Sequence, residues 1–304
     1  MSSPHFRELC VRVPATTANL GSGYDLLGLA LNVYNSVRFK PSDTYRMDLS
    51  GPYAQAHFRL DSQSLLWKGV ERVYREVGQT MPCFAVEQTV NIPPARGLGS
   101  SSSAIVAGLY AANLWLGEPF TREHLLTFAS EIEGHPDNVA PALLGGAVLN
   151  FPGEKIPFVK LSPPLGLYWG VCIPHFELKT HAARAVIPEK VPLEDAIANL
   201  SYLGALLTGF HTQNTQLIAQ GLNDRLHQGY RQSLVPGMQS VMDTARSAGA
   251  LGCVLSGAGP SLLVLSESPL SSIAEKMCEN WKKHKIIADF VTCLIDPQGV
   301  VCLD

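Results

Sequence analysis

Two glycines and four consecutive serines, Gly97, Gly99 and Ser100 to Ser103, stand between an alternating apolar run and a long stretch rich in alanine, leucine and valine. If that stretch is a helix, its first turn carries unpaired N–H groups and a partial positive charge. Glycines at 97 and 99 let an anion approach the bare backbone, and serine hydroxyls add donors, so phosphate is the natural guest. The same residue types also serve as an ordinary turn and helix cap. The loop is not a common nucleotide-binding turn: the chain has no Gly-Lys dipeptide, and "GSGYDLLG" misses the G-x-G-x-x-G spacing.

An anion loop works only if rigid elements hold it. "CFAVEQTVNI" places Phe84, Val86, Val90 and Ile92 on one face at period two, a half-buried strand leading into the turn, and residues 101–116 follow as the helix. "ELCVRVPA" and "LALNVYNSVRF" read as further strands. Residues 65–77 read as a helix, and Thr121 as the N-cap of another running to Glu133. The proline-punctuated "FPGEKIPFVKLSPPLG" suggests a passage between domains near residue 165. Beyond it come a strand, "LYWGVCIP", a helical region from 193 to 226, and a helix near 241–248. "GCVLSGAGPSLLVLS" reads as two strands around a glycine turn, and "KHKIIADFVTCLI" as a passage from helix to strand.

Composition narrows the function. With 304 residues, 46% hydrophobic, the chain can build one large or two medium cores. A net charge of −3 with no lysine or arginine run leaves no electrostatic footprint for nucleic acid or an anionic membrane. The seven cysteines form no C-x-x-C pair, so neither zinc nor a disulfide framework is signalled, and reduced thiols in the cytoplasm are expected. No run approaches the ~20 apolar residues of a membrane span.

Three separated words of sequence point the same way. "PPARGLGSSSSA" resembles the central phosphate-binding motif of the GHMP kinases. "VPATTANLGSGYDLLGLAL" (13–31) is similar to their N-terminal motif, and "LSGAGPSLLVL" (255–265) to their C-terminal glycine motif. Within that superfamily "PATTANLGSGYD", "EGHPDNVAPALLGG", "THAARAVIP" and "HQGYR" most resemble the homoserine kinases. The resemblance implies a two-domain α+β fold: an ATP-binding domain over 1–165 like ribosomal protein S5 domain 2, and a ferredoxin-like domain over 166–304. The activity implied is transfer of the ATP γ-phosphoryl group to the side-chain hydroxyl of L-homoserine, in threonine biosynthesis, with Mg²⁺.

The resemblance also assigns residues. Pro94, Arg96, Gly97, Leu98, Gly99, Ser100, Ser101 and Ser102, with Gly257 and Gly259, would hold the nucleotide. Ser101 and Glu133 would hold Mg²⁺. Glu131 is the alternative carboxylate, and two residues apart on a helix only one of them can face the metal. Asn19, Asp25, His135 and Thr180 match substrate-binding positions, and Arg184 and Arg231 match arginines that hold the homoserine carboxylate, a task suited to a planar guanidinium fork. Asn19 and Asp25 could equally serve a turn around Gly21–Gly23. Asp137 and Asn138 would lie beside the reacting hydroxyl, with Asn138 orienting it.

Three positions depart from the family pattern. Gly229 replaces a proline, Ser64 replaces an asparagine of the adenine-contacting segment, and Ser103 replaces a more common small residue and is expected to face helix packing. Two other readings remain: a kinase for mevalonate or a sugar, which would need no pair of groups for a zwitterion, and an inactive relative that only binds ligands. Relatives are often dimers, so a homodimer is an allowed assembly.

Overall fold

A computed structural model describes residues 6–54, 59–153 and 156–303. Residues 154 and 155, inside the proline-punctuated passage, lie outside them.

The first sheet is built on two long paired strands, β1 (Leu9–Ala18) and β2 (Leu27–Pro41), antiparallel with a bulge between Pro14 and Ala15. Strands β3 (Arg46–Ser50) and β4 (Phe84–Thr89) run parallel, and α1 (Leu65–Glu76) crosses between them. Strand β5 (Ala147–Asn150) adds to β2, and β6 (Phe158–Leu161) adds to β5. One face of this sheet packs on α1, α2 (Ser100–Trp115), α3 (Arg122–Glu133) and α4 (Pro136–Leu144). Helix α2 is apolar nearly all round because it is covered on both sides, by the sheet and by α1 and α3.

The second sheet has four antiparallel strands: β7 (Tyr168–Pro174), β8 (Gly252–Leu255), β9 (Leu262–Ser266) and β10 (Ala288–Cys293), in the order β10-β7-β9-β8. Between β7 and β8 run α5 (Thr180–Ala185), α6 (Leu193–Thr212), α7 (Thr215–Gly221), α8 (Gln228–Arg231) and α9 (Met238–Ser247); α10 (Ser271–Lys283) joins β9 to β10. Apart from the edge strand β10, which exposes Asp289 and Thr292, its strands are buried on both faces. Val171, Ile173, Leu263 and Leu265 turn toward β1, β2 and α6, whereas Cys172, Leu262 and Val264 turn toward α9 and α10. That two-sided burial is why the strands read as unbroken apolar runs. The core shared by both sheets also takes in Leu20, Leu27, Ile92, Leu98, Phe210 and Leu222, so the segments carrying the three motifs are tied into it.

The helical region expected over 193–226 is two helices and a turn. Gln213 adopts a left-handed conformation that ends α6, and the Asn214 side chain accepts from Gln216 and Leu217 N–H to start α7. The last strand, β11 (Val301–Cys302), returns to the first sheet beside β1, a pairing too short to show in the sequence.

Candidate active site

The three motif segments are bonded to one another. Thr16 N–H donates to the Leu98 carbonyl (3.1 Å), and Gly257 N–H to the Ala18 carbonyl (3.1 Å). Ser256 Oγ donates to the Gly97 carbonyl at 2.6 Å and lies 2.8 Å from Thr17 Oγ1. They surround a cleft of about 600 Å³ whose lining includes Asn19, Asp25, Pro94 to Ser101, Glu133, His135, Asp137, Asn138, Thr180, Arg184, Arg231 and Gly257. Ser102 is buried just behind it, and Gly259 packs on Leu255 rather than on the cleft.

Gly97 (φ +70°) and Gly99 (φ +69°) have left-handed backbone, and a side chain would strike the Ser256 carbonyl at the first and Thr16 Oγ1 at the second. The glycines are therefore required by the convergence of three segments as well as by any anion. Gly99 caps α2 with no side-chain bond to the first turn, so the N–H groups of that turn are left for a ligand. Leu98 is the buried peg of the loop, and Arg96 clips it to β7 through Nε and the Pro174 carbonyl (3.3 Å). Ser103 faces inward, donating to the Ser100 carbonyl and accepting from Asn35.

The two acidic residues of α3 separate as helical geometry requires. Glu133 Oε1 accepts from Ser101 Oγ (2.6 Å) and Ser102 Oγ (2.9 Å), at the mouth of the loop. Glu131 points away and pairs with Arg72 at 3.1 Å, with half its side chain in solvent. Among the described residues no three His, Cys, Asp or Glu side chains converge as a metal cluster. One carboxylate, a hydroxyl and phosphate oxygens form a donor set that fits Mg²⁺, which keeps most of its waters and binds few protein ligands.

Opposite the loop, His135 and Asp137 belong to the start of α4. His135 Nδ1 lies 2.5 Å from Asp137 Oδ1, and Asn138 Nδ2 donates to the same oxygen at 3.4 Å. Asn138 Oδ1 accepts from Thr16 Oγ1 at 2.8 Å, which fixes the amide orientation and turns its NH₂ edge toward Asp137. Burial disfavours the His135 cation, but the Asp137 carboxylate, aided by Glu133, outweighs it and raises the pKa above 6.5. The ring's contribution to stability is then full below the unfolded value of about 6.5 and is lost as pH rises through the folded value. An NMR titration of His135 should give a midpoint above 6.5, and one at or below 6.5 would show that Asp137 does not hold the cation.

Charged side chains gather at the end of the cleft away from the loop. The Asp25 carboxylate is paired through both oxygens with Arg184 (2.7 and 2.9 Å), raising the guanidinium pKa, and Arg184 also donates to Tyr24 Oη (3.3 Å). Arg231 is buried. Its Nε donates to the Ala183 carbonyl (3.0 Å), and its Nη1 to the Gly257 carbonyl (3.0 Å) and His227 Nδ1 (3.1 Å). Asn19 accepts from Asp25 N–H and donates to the Gly257 carbonyl, so both ends of its amide serve the turn at the cleft edge. Thr180 lies exposed at the start of α5, one turn before Arg184.

Several site residues had no separate signal. Tyr24 stacks on His227 (5.1 Å) and lies under both guanidinium groups. His227 is fully buried, which lowers its pKa, and its Nε2 is 2.9 Å from the Gly21 carbonyl. The proton must therefore sit on Nε2, leaving Nδ1 to accept from Arg231. Both residues sit inside quoted motif words beside named ones, the only hint available. At position 229 a proline is not needed to aim Arg231, because the Asp224 carboxylate accepts from His227 and Gln228 N–H and anchors the start of α8. Ser64 caps α1 by accepting from Trp67 N–H, beside Arg59, Asp61 and Gln63 at the outer end of the cleft.

The GHMP kinases N terminal domain matches residues 64–146, and the GHMP kinases C terminal domain matches residues 193–283. A homoserine kinase of Gloeobacter violaceus is 41% identical over 301 residues, covering 96% of this chain and 97% of the relative. One from Desulfitobacterium hafniense is 38% identical over 295 residues, covering 96% and 99%. The crystal structure of homoserine kinase from Cytophaga hutchinsonii superposes with a TM-score of 0.89 at 32% identity, over 97% of both chains. A mevalonate kinase of L. major reaches a TM-score of 0.73 at 16% identity over 98% of this chain and 99% of the other, a likeness of fold alone. No helix among the described residues is long and apolar enough to cross a membrane.

Proposed function

The chain belongs to the GHMP kinase family, within its homoserine kinases, and on that premise we propose that it transfers the ATP γ-phosphoryl group to the side-chain hydroxyl of L-homoserine. The products are O-phospho-L-homoserine and ADP, a step of threonine biosynthesis. The observation that carries this reading is full-length similarity to homoserine kinases together with Asp25, Arg184 and Arg231 lining the same cleft as the glycine loop. An ammonium and a carboxylate each find an oppositely charged group there, whereas a sugar would leave them unmatched. We divide the chain into an ATP-binding domain over 1–165 and a C-terminal domain over 166–304, supported by the passage from β6 of one sheet to β7 of the other, with β11 crossing back to pair with β1.

The nucleotide phosphates bind the first-turn N–H groups of α2 and the loop from Pro94 to Ser102, with Gly257 closing the far side. Ser101 and Glu133 would hold Mg²⁺, which would offset charge on the transferring phosphate. Asn138 orients the homoserine hydroxyl in line with the γ-phosphorus. A loose transition state asks little of a general base, since bond formation to the nucleophile is late, so positioning supplies much of the rate. The proton leaves to phosphate or solvent. Asn138→Ala should lower kcat about 10–100-fold, the scale of one lost orienting bond. Asp137→Asn tests the alternative: a vanished acidic limb with a loss of roughly 10³-fold or more would make Asp137 the base.

Coupled ADP release measured over homoserine, serine, threonine, mevalonate and galactose tests the assignment. Homoserine should give the highest kcat/KM, and equal or better turnover of mevalonate or galactose would overturn it.

A further inference from the structure

Arg184 and Arg231 face the same cleft but are held in opposite ways. Arg184 has a full carboxylate partner, Asp25, through both oxygens, and about a third of each side chain is in contact with solvent. Among the described residues Arg231 has no acidic partner within salt-bridge distance; two carbonyls and the neutral His227 ring hold it from behind. Its Nε and Nη1 are committed to the protein, and Nη2 makes no hydrogen bond to the described residues. The groups facing this end are thus Asp25, Arg184 and Arg231, with Tyr24 between the arginines; Asp137 is matched by His135, and the buried Asp224 carboxylate lies behind His227, 3.7 Å from its Nε2. The cleft thus meets the Arg231 guanidinium, backed through His227 by the buried Asp224 carboxylate, next to a neutral ion pair.

We propose that the Asp25–Arg184 pair is a charge lock that selects zwitterions: a ligand is admitted by exchanging places with both halves of the pair at once. This rests on the reading of the site as an amino-acid kinase. A carboxylate meets Arg231 Nη2 first, and to gain Arg184 it must displace Asp25. That leaves the Asp25 carboxylate beside the ligand's own carboxylate unless an ammonium on the same ligand takes Asp25. A zwitterion therefore trades one ion pair for two. A ligand with a single charge breaks the pair and compensates only one side, which is discrimination by penalty rather than by an added contact. Rejection of single-charge ligands then depends on the residue facing the missing group.

The test uses the full chain with L-homoserine, 4-hydroxybutanoate (no ammonium) and 3-aminopropan-1-ol (no carboxylate), each followed by ADP release. In the unaltered enzyme both single-charge alcohols should be at least 100-fold poorer than homoserine in kcat/KM, the scale of an unpaired charge in a polar site. Asp25→Asn frees Arg184 and should raise kcat/KM for 4-hydroxybutanoate about tenfold while homoserine falls; Arg184→Met frees Asp25 and should do the same for 3-aminopropan-1-ol. Single-charge alcohols that fail to gain in both variants overturn the lock while leaving the kinase reading intact. Failure of homoserine itself to turn over in the unaltered enzyme overturns both. A crystal structure with homoserine and Mg-ADP supplies an independent reading. The Asp25–Arg184 contacts should be separated there, and an intact pair refutes the exchange even if a variant misfolds.

Discussion

Glu133→Gln should lower kcat by about 10²–10³-fold and move the Mg²⁺ dependence to higher concentration, whereas Glu131→Gln should change either by no more than about threefold. The two residues share a helix and differ by two positions, so a general loss of negative charge on α3 would affect both alike. Glu133 instead shares Oε1 with the hydroxyls of Ser101 and Ser102, next to the first-turn N–H groups proposed to take the phosphates. Replacing one carboxylate oxygen by NH₂ keeps the shape but removes the charge that holds a hard cation, and places donors against donors. Glu131 has only a solvent-exposed pairing with Arg72 to lose, typically worth ~0–1 kcal/mol. Equal effects of the two substitutions, or an unchanged metal dependence in Glu133→Gln, would move the ligand elsewhere.

Arg231→Ala should lower kcat/KM for homoserine by about 30–1000-fold, or ~2–4 kcal/mol, with ATP binding changed far less. Removing the guanidinium takes the cation from the proposed carboxylate end, strands the Ala183 carbonyl and His227 Nδ1 without the bonds Arg231 donates, and leaves the Gly257 carbonyl with Asn19 as its remaining donor. Destabilisation is therefore expected as well, measurable as a lower midpoint of denaturant unfolding. Arg231→Lys separates the two effects: the ammonium restores the charge but cannot satisfy three acceptors and a ligand together. A folded Arg231→Lys enzyme with unaltered kcat/KM for homoserine would remove Arg231 from the carboxylate site.

What the sequence showed of this site depended on whether cause and effect lay close in the chain. The glycine–serine loop was legible because strand, turn and helix are consecutive, and the period-two pattern of Phe84 to Ile92 fixes the buried face. Thr121 could be named as a cap because its partner, His124 N–H, is three residues on. Glu133 could be separated from Glu131 only as a choice, since helical spacing says that they diverge but not which one meets the loop. The Asp25–Arg184 pair had no local sign at all: a loop after β1 meets a short helix of the second domain, and only the assembled cores bring them together. The same holds for Tyr24 and His227, whose stacking depends on α8 lying under the first glycine turn. Gly97 was read correctly as a place for bare backbone, but much of the reason is the Ser256 carbonyl, contributed from far along the chain.

Phosphate should move from ATP to the side-chain hydroxyl of homoserine rather than to water or to another group of the amino acid. Phosphorus-31 NMR of the full chain incubated with ATP, Mg²⁺ and L-homoserine reads this directly. A phosphomonoester resonance coupled to the protons of the side-chain CH₂–O carbon should grow in step with ADP. ADP accompanied only by inorganic phosphate, or a phosphoryl group attached to the carboxylate, would contradict the account.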